Sequence, residues 1–226
     1  MTDAHASELT CAICGIASEQ NIFLSTSMFG SPDLDLRPPP PHGANLALWV
    51  QLCPHCGHCA RDISEALDGA AEVVRSDEYR GELERAGRPP LANAFMCLAL
   101  LHEAAGELAH AGQSALEAAW VCDDEAAPDA ARDCRRRSIT YFERARAAGS
   151  MVTEQHGGAE MLLADIHRRA ALFADAERLC AEGIAKADDE QLKIVLQFEA
   201  RLARDGDVEP HAIEEAFPPH EESGEL

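Results

Sequence analysis

The chain is expected to be mainly α, opening on a small β-containing module bounded by cysteines and continuing as a domain of antiparallel helices. Three observations predict this. The pattern Cys-x-x-Cys-Gly occurs twice early on, at Cys11–Gly15 and Cys53–Gly57. From residue 91 onward, apolar residues recur at helical spacing. The composition, 46% apolar but only 5% aromatic, suits helix–helix interfaces better than sheet surfaces, which favour β-branched and aromatic side chains. At 226 residues there is material for two modest domains.

Residues 1–59 carry five of the nine cysteines and a dense set of proline and glycine turn signals. Two thiolates three positions apart grip one metal from a tight knuckle, and the following glycine permits the left-handed turn. With 38 residues between Cys14 and Cys53, the two knuckles supply Cys11, Cys14, Cys53 and Cys56 as a tetrahedral shell. Such a closed shell leaves no position for water or substrate, so one structural zinc is expected. An iron–sulfur cluster is the alternative, since Cys59 extends the second knuckle to Cys-x-x-Cys-x-x-Cys. His42, His55, His58 and Cys59 are expected as surface or neighbouring side chains of a shell that four thiolates already fill. Between the knuckles the inserted loop is expected to be exposed and mobile: Phe29–Asp33 reads as a turn, Arg37–Gly43 as an extended polyproline segment, and Leu46–Leu52 as a strand entering the second pair.

Residues 60–90 are expected to link the ribbon to the helical domain, with Ile63, Leu67, Ala70 and Val74 forming a stripe continued by Tyr79 and Leu83. The helical domain then spans 91–217. Its stripes are Leu91-Phe95-Leu98-His102, Ala111-Ala115-Ala118-Cys122 and Cys134-Ser138-Tyr141-Phe142-Ala145, followed by Leu162-Leu163-Ile166-Ala170, Phe173-Ala176-Cys180-Ile184 and Val195-Phe198-Leu202. Breaks at Gly106, Pro128, Gly149 and Gly157-Gly158 separate most of them. Pro210 is placed to start a short helix, and residues 218–226 read as an acidic disordered tail.

Forty acidic against nineteen basic residues give a formal charge of -21. That disfavours generic nucleic-acid binding, whose affinity comes largely from cations on phosphates, and disfavours anionic membranes. No stretch approaches the ~18 apolar residues of a membrane span, and Met-Thr-Asp-Ala-His lacks a secretory signal's basic start, so a cytoplasmic location is expected. Nine cysteines in that setting imply metal binding and buried thiols rather than disulfides. Cys97, Cys122, Cys134 and Cys180 sit at apolar helix positions and are expected as core residues, as is Trp120. The basic run Arg132, Arg135, Arg136 and Arg137 is expected as a solvated face.

Catalytic signatures are missing. His102-Glu103 begins like a His-Glu-x-x-His zinc helix, but Gly106 stands where the second histidine belongs and His110 falls eight residues on. Phosphate-loop, dinucleotide and nucleophile-elbow patterns do not occur, so no enzymatic activity is expected.

Leu98-Ala99-x-x-His102 with Ala111 repeats as Leu163-Ala164-x-x-His167 with Ala176. This spacing resembles the tetratricopeptide repeat, in which a small residue lets paired helices approach; Ala118 and Gly183 fit the next small position. The two CxxCG knuckles around "FGSPDLDLRPPP", then "ALEAAWVCDD" and "ADIHRRAALFADAERLC", resemble the bacterial domain-of-unknown-function 2225 family over most of residues 9–204. That resemblance implies a four-cysteine zinc ribbon followed by tetratricopeptide-like helices, with the metal ligands carried onto Cys11, Cys14, Cys53 and Cys56. It offers no activity to borrow.

The expected function is a zinc-binding adaptor that holds a protein or peptide partner. The alternatives are a transcription- or nucleic-acid-associated ribbon protein and an enzyme with a pocket between helices. The repeat alignment turns Asn93, Met96 and Glu103, with Met161, Asp165 and Arg168, toward a concave partner-binding surface on which exposed methionines would adapt to varied peptides.

Overall fold

The computed structural model describes residues 2–150 and 155–217; the tail expected over 218–226 lies outside the described residues. The fold is mainly helical, with small antiparallel sheets at the amino end. The chain divides into two compact units, Met1–Phe29 with Pro39–Val152, and Gly30–Pro38 with Thr153–Leu226.

In the first unit, β1 (Thr2–Thr10) pairs with β2 (Ala17–Thr26), and β3 (Gln51–Leu52) with β4 (Cys59–Ala60). Each Cys-x-x-Cys-Gly knuckle is therefore the turn of an antiparallel hairpin. Side-chain amides fasten one hairpin to the other: Gln20 Nε2 donates to the Leu52 carbonyl and Gln51 Nε2 to that of Asn21, both at 3.2 Å. The strand expected over Leu46–Leu52 is shorter, because Leu46–Leu48 coils into a 3₁₀ turn first.

The expected helix from Ile63 does not form there. The Asp62 carboxylate accepts from the Ser64 backbone N–H at 2.8 Å and its hydroxyl at 2.6 Å, a local turn that competes with helix. Helix begins only at α1 (Ala70–Val73), behind Gly69 at φ +75°. Then α2 (Asp77–Leu83) starts under a Ser76 cap whose Oγ accepts from the Tyr79 N–H.

The next three stripes become α3 (Pro90–Ala104), α4 (Leu108–Asp124) and α5 (Pro128–Ala147), with α4 packed on both neighbours. Trp120 and Cys97, Cys122 and Cys134 are buried in this core, as expected. Gly112 lets α5 close on α4: a Cβ there would lie 2.8 Å from the Phe142 ring, and Ser138 Oγ donates to the Gly112 carbonyl at 2.8 Å. The basic run is not one solvated face. Arg135 is buried against Asp123, with Nη1 to Oδ1 at 3.0 Å, and Arg137 pairs with Glu82 at 2.7 Å.

The second unit holds α6 (Gly158–Arg169), α7 (Phe173–Lys186) and α8 (Glu190–Arg204), with α6 packed on α7 and α8. Gly183 is a close-approach position, since a Cβ would meet Leu196 at 2.9 Å and the Glu160 Cβ at 3.0 Å. The unit also contains residues 30–38, part of the insert expected to be exposed. Leu34 and Asp35 are buried instead. Leu34 N–H donates to the His211 carbonyl and Ile213 N–H to that of Pro32, both at 2.9 Å, so the segment pairs with the run into the 3₁₀ turn Ile213–Ala216.

Candidate metal centre

The two hairpin turns are built alike. In the first, Gly15 N–H donates to the Cys11 carbonyl at 2.9 Å and Cys11 N–H to that of Ile16 at 3.1 Å. In the second, Gly57 N–H donates to Cys53 at 3.0 Å and Cys53 N–H to His58 at 2.9 Å. Gly15 and Gly57 take φ +71° and +81°, the left-handed conformation the knuckle needs. Beside Gly57 a Cβ would lie 2.8 Å from Leu83 Cδ2, so that side chain would have to shift as well.

These turns bring Cys11, Cys14, Cys53 and Cys56 together, their sulfurs all within 4.8 Å of one another. The Cys11–Cys56 and Cys14–Cys53 sulfur separations are both 3.7 Å. A tetrahedral ion with metal–sulfur bonds of ~2.3 Å requires sulfur–sulfur edges of about 3.8 Å, so the spacing is that of one shared metal rather than of two disulfides. Each knuckle contributes one buried thiol, Cys11 or Cys53, and one half-buried, Cys14 or Cys56. Cys11, Cys53 and Ile63 form a small core flanked by Leu9, Ile13 and Ala60, and Ala12 N–H donates to the Ile63 carbonyl at 2.8 Å.

Burial raises the Cys11 and Cys56 thiols, against hydrogen bonds from backbone amides. At Cys53 burial also acts upward, but the Cys56 and His55 N–H groups and the neighbouring thiols outweigh it and hold that thiol below its ordinary value. Amides aimed at sulfur are what a thiolate ligand needs.

The neighbouring candidates stay outside the four-sulfur group. His58 is buried, with Nδ1 3.7 Å from Cys11 Sγ, where burial lowers its pKa and keeps the ring neutral. Cys59 is buried outside the group: its N–H donates to the Tyr79 hydroxyl at 3.1 Å, and that hydroxyl donates to the Gly57 carbonyl at 2.9 Å.

The expected partner-binding residues are a different matter, and the exposed methionine groove is overturned. Met96 is fully buried and Met161 is 8% exposed, because both fall on faces that α3 and α6 turn inward. Asn93 is buried as a brace: Nδ2 donates to the Leu83 and Arg85 carbonyls, and Oδ1 accepts from Arg88 Nε at 2.6 Å. Arg168 is fully buried, bonded to Asp165 at 2.6 Å and to the carbonyls of Asp207 and Glu209 at 2.9 Å, and Asp165 is buried with it. Only Glu103 keeps appreciable exposure, and it binds the Tyr141 hydroxyl at 2.8 Å and Arg144. Helical spacing identified the shared face of these residues but not which side the neighbouring helices cover.

A second group, which no sequence motif brings together, is His102, Glu107 and His110. In the sequence both histidines invite comparison with a one-helix motif, whereas the carboxylate lies between them in a turn. Comparison with family models, curated proteins and solved structures finds no match to this chain.

Proposed function

We propose that the four thiolates hold one structural zinc ion and that the chain is a cytoplasmic adaptor for a protein or peptide partner, without catalytic activity of its own. The observation that carries the metal assignment is the pair of 3.7 Å sulfur separations within one four-cysteine group. Four thiolates without a free position suit zinc as a fold-stabilising ion. The likeness to the ribbon-and-helix family described above points the same way. Elemental analysis of protein purified without chelator tests it: one zinc per chain is expected, and iron with sulfide would overturn it.

The adaptor reading is supported by exposed apolar side chains close together in the sequence of a strongly acidic chain. Leu24, Met28 and Phe29 are 54%, 61% and 71% exposed within six residues of sequence, and clustered exposed apolar side chains mark interaction sites. No helix among the described residues is long and apolar enough to cross a membrane. Affinity capture with the intact chain and with Met28→Glu/Phe29→Glu, read by mass spectrometry, tests the reading. A partner retained equally by both proteins would remove this surface from consideration.

A further inference from the structure

The geometry points to a second metal site: the α3–α4 turn assembles His102, Glu107 and His110 into a two-histidine, one-carboxylate set for a divalent transition-metal ion such as zinc or cobalt. His102 lies in the last turn of α3. Gly106, at φ +79°, reverses the chain, and Glu107 N–H donates to the His102 carbonyl at 2.8 Å while Gly106 N–H donates to that of Glu103 at 3.0 Å. This pair of bonds is the Schellman end of a helix, whose geometry sets the residues joined by the wider-spanning bond, here His102 and Glu107, side by side. That position usually holds an apolar pair; here it holds an imidazole and a carboxylate. His110, three residues beyond Glu107 on the first turn of α4, returns to the same face.

The distances suit a shared ion. Glu107 Oε2 lies 2.8 Å from His102 Nδ1 and 3.5 Å from His110 Nδ1, and all three groups offer ligand atoms within 4.8 Å of one another. Bonds of ~2.1 Å to nitrogen and oxygen imply ligand–ligand edges of about 3.0–3.4 Å, so small side-chain adjustments bring all three ligand atoms onto one ion. Two imidazoles with one carboxylate favour zinc or a neighbouring first-row ion over calcium or magnesium, which take oxygen ligands. Unlike the four-cysteine group, this set leaves coordination positions open. His102 also lines a cleft of about 210 Å³ with His58, Arg61, Glu65, Leu98 and Leu101.

The α6–α7 turn shows that the backbone does not demand these residues. Leu172 N–H donates to the His167 carbonyl at 2.8 Å in the same kind of turn, yet Leu172 and Asp175 stand at the positions matching Glu107 and His110. There His167 is buried, its Nδ1 bonded to the Leu163 carbonyl at 2.7 Å.

The test titrates the full chain, carrying metal at its cysteines, with cobalt(II). One further equivalent is expected, giving weak visible bands of nitrogen and oxygen ligation without added thiolate charge-transfer absorption, and broadening the imidazole resonances of His102 and His110. Losing even an outer-shell partner weakens metal binding about 10- to 100-fold, so His110→Ala and Glu107→Gln should each weaken this equivalent at least tenfold. Both side chains are well exposed, at 71% and 41%, and cysteine-bound metal and helical circular dichroism should not change. Absence of the second equivalent, or wild-type affinity in either variant, would overturn the site.

Discussion

Arg169 Nη1 sits 2.9 Å from Asp35 Oδ2, with both side chains almost entirely withdrawn from water and 134 positions apart in the chain. The pair fixes the short segment 30–38 within the helical unit of α6–α8. Two charges withdrawn from solvent depend on each other, since taking away one costs the other a close counter-charge in a buried setting. Asp35→Ala is expected to destabilise the second unit by about 3–5 kcal/mol, read as a lower urea midpoint and faster amide exchange in α6–α8. Unchanged exchange would mean that the pair does not hold the segment.

Asp33, next to this pair, gives the unit a pH dependence. Burial, with the charge of Asp35 added, raises its carboxyl from 3.8 to about 6, while Arg169 and Arg37 pull the other way. The folded state therefore binds this proton more tightly than the unfolded chain. The contribution is fully present below pH 3.8 and is lost as the pH rises through about 6. Asp33→Asn should flatten the stability profile across that interval and raise stability above it, measured by urea unfolding at a series of pH values. A profile parallel to the wild type would assign the titration to another group.

Cys53→Ser removes one of the four clustered thiols and, on the proposed assignment, should abolish zinc binding. Structural zinc supplies about 10 kcal/mol or more to small modules of this kind, so the paired hairpins should lose their amide protection. The helical circular dichroism should persist, because α3–α5 bury a core of their own around Phe95, Leu116 and Trp120. A collapse to coil would show that the first unit unfolds as one.

Met96→Glu places a carboxylate in a fully buried position on α3 and should cost several kcal/mol, lowering the melting temperature sharply. A folded variant with an unchanged melting temperature would restore the partner-facing role expected from the repeat spacing.

Gly112→Ala adds a methyl only 2.8–2.9 Å from the Phe142 ring. Overpacking of this order costs about 1–3 kcal/mol, offset only slightly by alanine's better helix propensity. Gly81→Ala is the control, with no atom within 4 Å of the added group, and should be neutral or mildly stabilising. Equal urea midpoints for the two variants would show that the Phe142 ring moves aside freely.

The helical architecture was legible in the sequence because apolar spacing records how a helix must face its core, and α3 through α8 appear where their stripes fall. The four-cysteine group was legible for a similar reason: two thiols in Cys-x-x-Cys-Gly leave the backbone little choice but a knuckle, so local chemistry fixes half the shell each time. Tertiary structure decided how the halves meet, which of Met96 and Glu103 faces water, and where the segment around Leu34 and Asp35 goes. It also decided that a turn between helices would set Glu107 between two histidines. Those outcomes depend on contacts between residues distant in sequence or on opposite sides of a chain reversal, and a linear pattern of side chains records a face without recording what covers it.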